Sequence, residues 1–190
     1  MEAFGTAAGA TRRVVAGVDA DTFSDPTPCS EWDVRTLLNH IILWTSYSLE
    51  RRAHGESVAP ELMERDFAAE PDFAADYEAQ LDRALAAWND PAVWDRKLDV
   101  MGSATPAADV AALMIAEMVL HGWDLAVATG QPLEVPEAAA EAALSAIEAN
   151  AELFRQYQGF ADPVAVALDA PVLDRALGLS GRDPARSRLR

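Results

Sequence analysis

Basic side chains are scarce in this chain. Lys97 is the sole lysine, and 15 Lys and Arg together face 31 Asp and Glu, a net charge of −16. Nucleic acids and anionic lipid surfaces are held by clustered cations, so this balance argues against both as partners. Cysteine is rarer still. Cys29 stands alone and has no partner for an internal disulfide, which points to a cytoplasmic location. Long hydrophobic runs are also missing. No stretch approaches the ~20 uninterrupted apolar residues that cross a bilayer. The start, MEAFGTAAGATRRVVAGV, has neither the basic opening nor the continuous apolar core of a signal peptide.

What is present describes a globular helical protein. The 190 residues suit one domain over positions 1–190, with 51% hydrophobic and 24% charged residues, enough to bury a core without staples. Apolar residues recur at three and four rather than two. The pattern predicts a first helix over Glu2 to Val18, followed by the Asp-, Pro- and Ser-rich linker DADTFSDPTPCSEW. Ser30 and Asp33 resemble a capping box, so a second helix is expected from near Glu31 to the stop at Gly55. A third should cover Asp72 to Trp88. VWDRKLDVMGS reads as a short extended excursion, and Thr105 as the cap of a fourth helix with Pro106 at its first position. That helix should close at Thr129-Gly130, and a fifth should run from Glu137 to Gln156. The tail, about 160–190, appends the apolar run PVAVAL, a short helix PVLDRALGL and an Arg-rich end. The expectation is an all-α four-helix bundle with a short C-terminal appendage, an architecture that builds metal and ligand sites between facing helices.

Only three histidines occur, and two stand where a helix should be apolar. His40 has Leu37, Ile41 and Trp44 three to four positions away. Glu117 and His121, four apart on the fourth helix, project from one side together. A carboxylate and an imidazole buried there must be paired or must bind metal. Two histidines and one carboxylate form a three-point metal site with an open position. The same spacing also allows hydrogen-bonded core residues, and E-x-x-x-H alone does not separate the two. Asp124, three residues after His121, lies near the same face and can orient an imidazole or serve as a cap-like or salt-bridging residue near the helix end. Trp32, Trp44 and Trp123 read as core and pocket wall. Cys29, in a loop without an evident base, reads as inert, and His54, beside Arg51 and Arg52, as surface.

The strings PTPCSEWDVRTLLNHI and AEMVLHGWDLAVATGQ resemble the two signature blocks of the actinobacterial mycothiol-dependent maleylpyruvate isomerase N-terminal family, within the DinB/YfiT-like superfamily of metal-binding bundles. GRDP, Gly181 to Pro184, is similar to the end of a short branch of these proteins. The resemblance implies that His40, Glu117 and His121 bind a divalent cation, most often zinc, with nickel or Fe(II) also suited to the set. It implies mycothiol as co-substrate and a small electrophile as the second partner, in S-transfer or thiol-assisted isomerisation. The isomerase carries a second, C-terminal domain that contributes to its active site, and 190 residues leave no room for one here. The expectation is therefore the metal-binding bundle rather than maleylpyruvate isomerisation itself. Two other readings remain open: a non-catalytic, stress-linked or ligand-binding bundle, and a metallohydrolase. A homodimer is compatible with the apolar content, without a marked interface.

Overall fold

The computed structural model describes residues 2–100 and 102–188. Met101, inside the expected extended stretch, and the last two residues of the Arg-rich end lie outside the described residues. The chain forms an all-α, DinB-like fold interrupted by one small hairpin. Helix α1 (Glu2–Ala16) leads through the linker to α2 (Val34–Ile42), which continues through a π-helical turn (Leu43–Tyr47) into α3 (Ser48–Ala53). Short α4 (Pro60–Met63) precedes α5 (Phe73–Trp88) and the single turn α6 (Pro91–Trp94). Strands β1 (Lys97–Val100) and β2 (Ser103–Pro106) pair antiparallel, and α7 (Ala107–Thr129), α8 (Glu137–Gln156) and α9 (Val172–Leu179) complete the order.

Two helix starts differ from the expectation. Asp33, not Ser30, caps α2, its carboxylate accepting from the Thr36 amide at 2.8 Å. The residues before it are committed to a turn. The Cys29 amide donates to Thr27 Oγ1 at 3.1 Å, and the Trp32 amide donates to the Cys29 carbonyl at 2.8 Å. Thr105 and Pro106 belong to β2, paired with Leu98 and Lys97, so α7 starts at Ala107. Pro sits at the strand end, where its missing N–H costs no ladder bond. The other main helices match the expectation to within two residues. Gly130, at φ 67°, supplies the left-handed stop of α7.

The π-helical turn was not foreseen. Widening a helix by one residue releases carbonyls from their usual partners. Here the buried hydroxyls of Thr45 and Ser46 donate to the carbonyls of Ile41 and Ile42 at 2.7 and 2.6 Å. The turn follows directly after the helix segment that carries His40.

Helix α7 is the axis of the fold and packs against α1, α2 and α8, while α5 closes the far side against α1 and α3. Phe4, Leu37, Ile41, Leu81, Met118, Leu125 and Ile147 are almost fully buried at these contacts. By length and composition α7 could cross a membrane, yet 67% of its apolar window is buried inside the fold. The tail is packed as well. Helix α9 lies on α8, the Val164 amide donates to the Gly178 carbonyl at 2.9 Å, and Arg155 donates to the Leu179 carbonyl at 2.7 Å.

Gly122 sets the approach of α1 to α7. A Cβ there would lie 3.2 Å from Thr11 Oγ1, and Thr11 itself is fully buried, donating to the Met118 carbonyl at 2.9 Å. Gly122→Val should therefore force the two helices apart. The expected loss is about 1–3 kcal/mol of unfolding free energy in urea titrations. An unchanged or raised midpoint would contradict this packing.

Candidate metal centre

Helices α2 and α7 lie face to face, so His40 from one meets Glu117 and His121 from the other. His40 Nε2 is 2.5 Å from Glu117 Oε1, and His121 Nε2 is 3.6 Å from the same oxygen. One ligand atom from each of the three falls within 4.8 Å of the others. The side chains are 14–25% exposed, so the group is largely withdrawn from water but open on one side.

Asp124 is fully buried, and its Oδ2 lies 3.0 Å from His121 Nδ1. An Nδ1–H donating to that carboxylate leaves Nε2 free to face Glu117 and His40, the arrangement in which an outer carboxylate fixes a ligand's tautomer. Asp124 is also held by Arg182, whose Nε and Nη2 approach its two oxygens at 2.9 and 2.6 Å. Asp124 thus both orients an imidazole and bears a salt bridge, the two roles its position allowed. Arg182 comes from the Gly181–Pro184 block, so this bond draws the C-terminal segment onto α7.

Cys29 is not isolated from polar partners, contrary to the expectation of an inert loop thiol without a base. Its Sγ lies 3.1 Å from Asp124 Oδ2 and 3.8 Å from His121 Nδ1. Cys29, His121 and Asp124 form a second group with metal-ligating geometry. Arg182 discriminates between the two groups. Its guanidinium already supplies the positive charge at Asp124, so a cation there would meet like charge at close range. Among the described residues, no guanidinium or ammonium group contacts His40, Glu117 or His121. Their donor set fits a divalent metal: two imidazole nitrogens and one carboxylate, with the remaining side open.

The charges respond to this crowding. Burial alone would raise the Glu117 pKa, but the His121 charge and the His40 hydrogen bond hold it at about 2. Burial alone would lower that of His121, but the Glu117 charge and the Asp124 bond push it up to about 10. For Asp124, burial is outweighed by Arg182 and His121, which keep it well below the usual carboxylate range. Glu117 and His121 thus favour their charged forms together, each held by the charge of the other.

The centre opens into a cleft of about 720 Å³. Trp32 forms one wall, its ring 4.6 Å from His40 and 5.7 Å from His121. Leu113, Ala116 and Leu120 of α7 line the cleft too, as do Phe154, Arg155, the stretch from Gln158 to Ala161 and the stretch from Ser180 to Arg182. Trp44 neighbours His40 at 6.3 Å but is not among the described lining residues, while Trp123 belongs to the core. His54 is exposed at the end of α3. Sequence reasoning passed over Arg182 and the linkage of Cys29. The signal for Arg182 was present in the GRDP block, but its target 58 residues away has no periodicity to reveal it.

These features coincide with a family. A model of the mycothiol maleylpyruvate isomerase N-terminal domain matches residues 4–126, and the chain belongs to that family. Membership ties it to mycothiol-related, DinB-like metal-binding proteins. Two relatives from strains of Mycobacterium tuberculosis, "Uncharacterized protein MT0763" and "Uncharacterized protein Rv0738", are each 26% identical over 181 residues, covering 89% of this chain and 90% of theirs. No solved structure gives a significant match.

A metal held by this group would have to displace the His121 proton, which would link its binding to pH. His121 is raised from its ordinary 6.5. In the metal-free chain its contribution to stability is full below that value and lost as pH rises through about 10. Glu117 is lowered from its ordinary 4.5, so its contribution is full above that value and lost as pH falls through about 2. Zinc titrated into weakly buffered protein at neutral pH should release about one proton or more per metal, and affinity should rise roughly tenfold per pH unit. Zinc binding without proton release would contradict the assignment.

Proposed function

We propose that the chain is a divalent-metal-dependent thiol transferase or isomerase, using mycothiol against a small electrophile, with zinc held by His40, Glu117 and His121. One observation carries the reading: in a member of this family, two facing helices bring three ligand-type atoms together on the wall of a 720 Å³ cleft. Nickel and Fe(II) suit the same donors, and zinc is favoured by the resemblance.

When bound, zinc supplies Lewis acidity at the open position, favouring the thiolate of an incoming thiol at neutral pH. The chain's residues do the rest. Asp124 keeps the His121 proton on Nδ1 and thereby presents Nε2 to the metal. Arg182 balances Asp124, so this carboxylate stays ionised without recruiting a second cation. Leu113, Ala116, Leu120 and Trp32 keep this lining apolar and reduce competition from water. The open side lets a thiol and an electrophile meet at one point, which replaces a bimolecular encounter by an oriented one.

Zinc-loaded protein given mycothiol and a panel of electrophiles should consume thiol in a zinc-dependent manner. His40→Ala should lower the rate by more than about 100-fold, beyond what losing an outer hydrogen-bond partner costs. Zinc-dependent ester or amide cleavage without thiol consumption would favour the metallohydrolase. Bound metal with no reaction at all would favour the non-catalytic bundle.

A further inference from the structure

Of the two histidines at the centre, only one is oriented through its second nitrogen. Asp124 holds His121 Nδ1. Among the described residues, the one polar contact of His40 runs from Nε2 to Glu117 at 2.5 Å, with the Trp32 ring 4.6 Å away. A ligating imidazole is ordinarily aimed by a hydrogen bond on its outer nitrogen. His40 is instead aimed by the helix that carries it, so the rotation of α2 about its own axis becomes part of the centre.

That rotation is set by docking against residues 66–68. Arg35 Nε donates to Asp66 at 3.0 Å, and Asn39 both donates to Asp66 and accepts from the Ala68 amide at 2.9 Å. The Tyr47 ring stacks on Phe67 with centroids 5.1 Å apart. Asn39 and Tyr47 are eight positions apart in sequence. In a continuous α-helix, seven residues return to nearly the same side, whereas eight overshoot it by about 80°. The π-helical turn at Leu43–Tyr47 absorbs the extra residue. The Ser48 amide donates to the Leu43 carbonyl, five residues back, and both anchors reach the same segment. Such single π-turns inside α-helices are frequent at functional sites.

Buried hydroxyls hold the turn. Thr45 donates to the Ile41 carbonyl at 2.7 Å, and the Tyr77 hydroxyl of α5, also buried, lies 2.8 Å from Thr45 Oγ1. Because Thr45 spends its one proton on Ile41, Tyr77 is the donor of that pair. We propose that Thr45, with Tyr77 behind it, is a positioning residue for His40. It locks the π-helical turn, and through it the rotation of α2 that places His40 opposite Glu117 and His121. The inference rests on the metal-binding reading above and adds how one ligand is aimed. Neither Thr45 nor Tyr77 lines the cleft, so each acts through His40 rather than by touching a ligand.

Competition between the folded chain and a chelating dye for zinc tests it. Thr45→Val keeps the side-chain shape and removes the hydroxyl, and should bind zinc about tenfold or more weakly than the wild type, as when the support of a ligand is lost. Thr45→Ser keeps the hydroxyl and should keep the wild-type affinity. Leu81→Ala, at a buried apolar position of α5, should lower the urea midpoint and leave zinc affinity unchanged, which separates positioning from lost stability. Should Thr45→Val not fold, Tyr77→Phe stands in for it: it keeps the ring, removes the donor to Thr45 and should also weaken zinc binding. Wild-type affinity in the variant that reports would overturn the inference. An equal loss in Leu81→Ala, or in Thr45→Ser, would overturn it too. A wild-type chain that binds no zinc would sink the metal reading, and this inference with it.

Discussion

The structure turns on the need to satisfy polar side chains along one buried helix. Helix α7 runs through the middle of the bundle with an apolar surface on nearly every side, and yet carries Glu117, His121 and Asp124 along a single stripe. An unpaired charge in such a place costs several kcal/mol, so everything facing the stripe is arranged to meet it. His40 comes from α2 opposite, Cys29 and Trp32 from the linker turn, and Arg182 from the far end of the chain. The cleft exists because these contributors converge from different directions and leave one side open.

Charge accounting explains why two overlapping groups with ligand geometry are not equivalent. Asp124 is neutralised by a guanidinium approaching both oxygens, a strong and directional arrangement. Removing one member of such a buried pair typically costs about 3–5 kcal/mol. The Arg182 contact therefore has two consequences. It anchors residues 180–182 as a wall of the cleft, and it leaves Glu117 as the carboxylate contacted by imidazoles rather than by a guanidinium among the described residues. A divalent ion held there would replace a proton rather than an arginine.

Much of this was legible in the sequence, and the failures have physical causes. Helices α1, α5, α7 and α8 follow from apolar periodicity and terminal Gly and Pro. Glu117 and His121 were visible as a pair because i,i+4 is local geometry. Pairing His40 with them needed a tertiary contact, which the signature blocks implied and periodicity could not. Ser30 looked like a cap because capping boxes are read from spacing, whereas Thr27 and Trp32 had already claimed that stretch for a turn. Thr105 and Pro106 carried a good helix-start signal that hairpin pairing overrode. The π-helical turn left only a faint trace, two adjacent hydroxyl residues, Thr45 and Ser46, inside an apolar run. Arg182 and Cys29 meet the centre through contacts 58 and 92 to 95 residues apart in sequence, which no local rule detects.

On the proposed reading the cation sits between α2 and α7, not beside the linker. Anomalous diffraction at the zinc edge from crystals of the zinc-loaded protein tests it most directly. The account predicts one strong peak bonded to His40 Nε2, the Glu117 carboxylate and His121 Nε2, with Asp124 still paired to Arg182. A peak bonded to Cys29 and Asp124 with Arg182 displaced would contradict it, as would zinc-loaded crystals with no peak at either group.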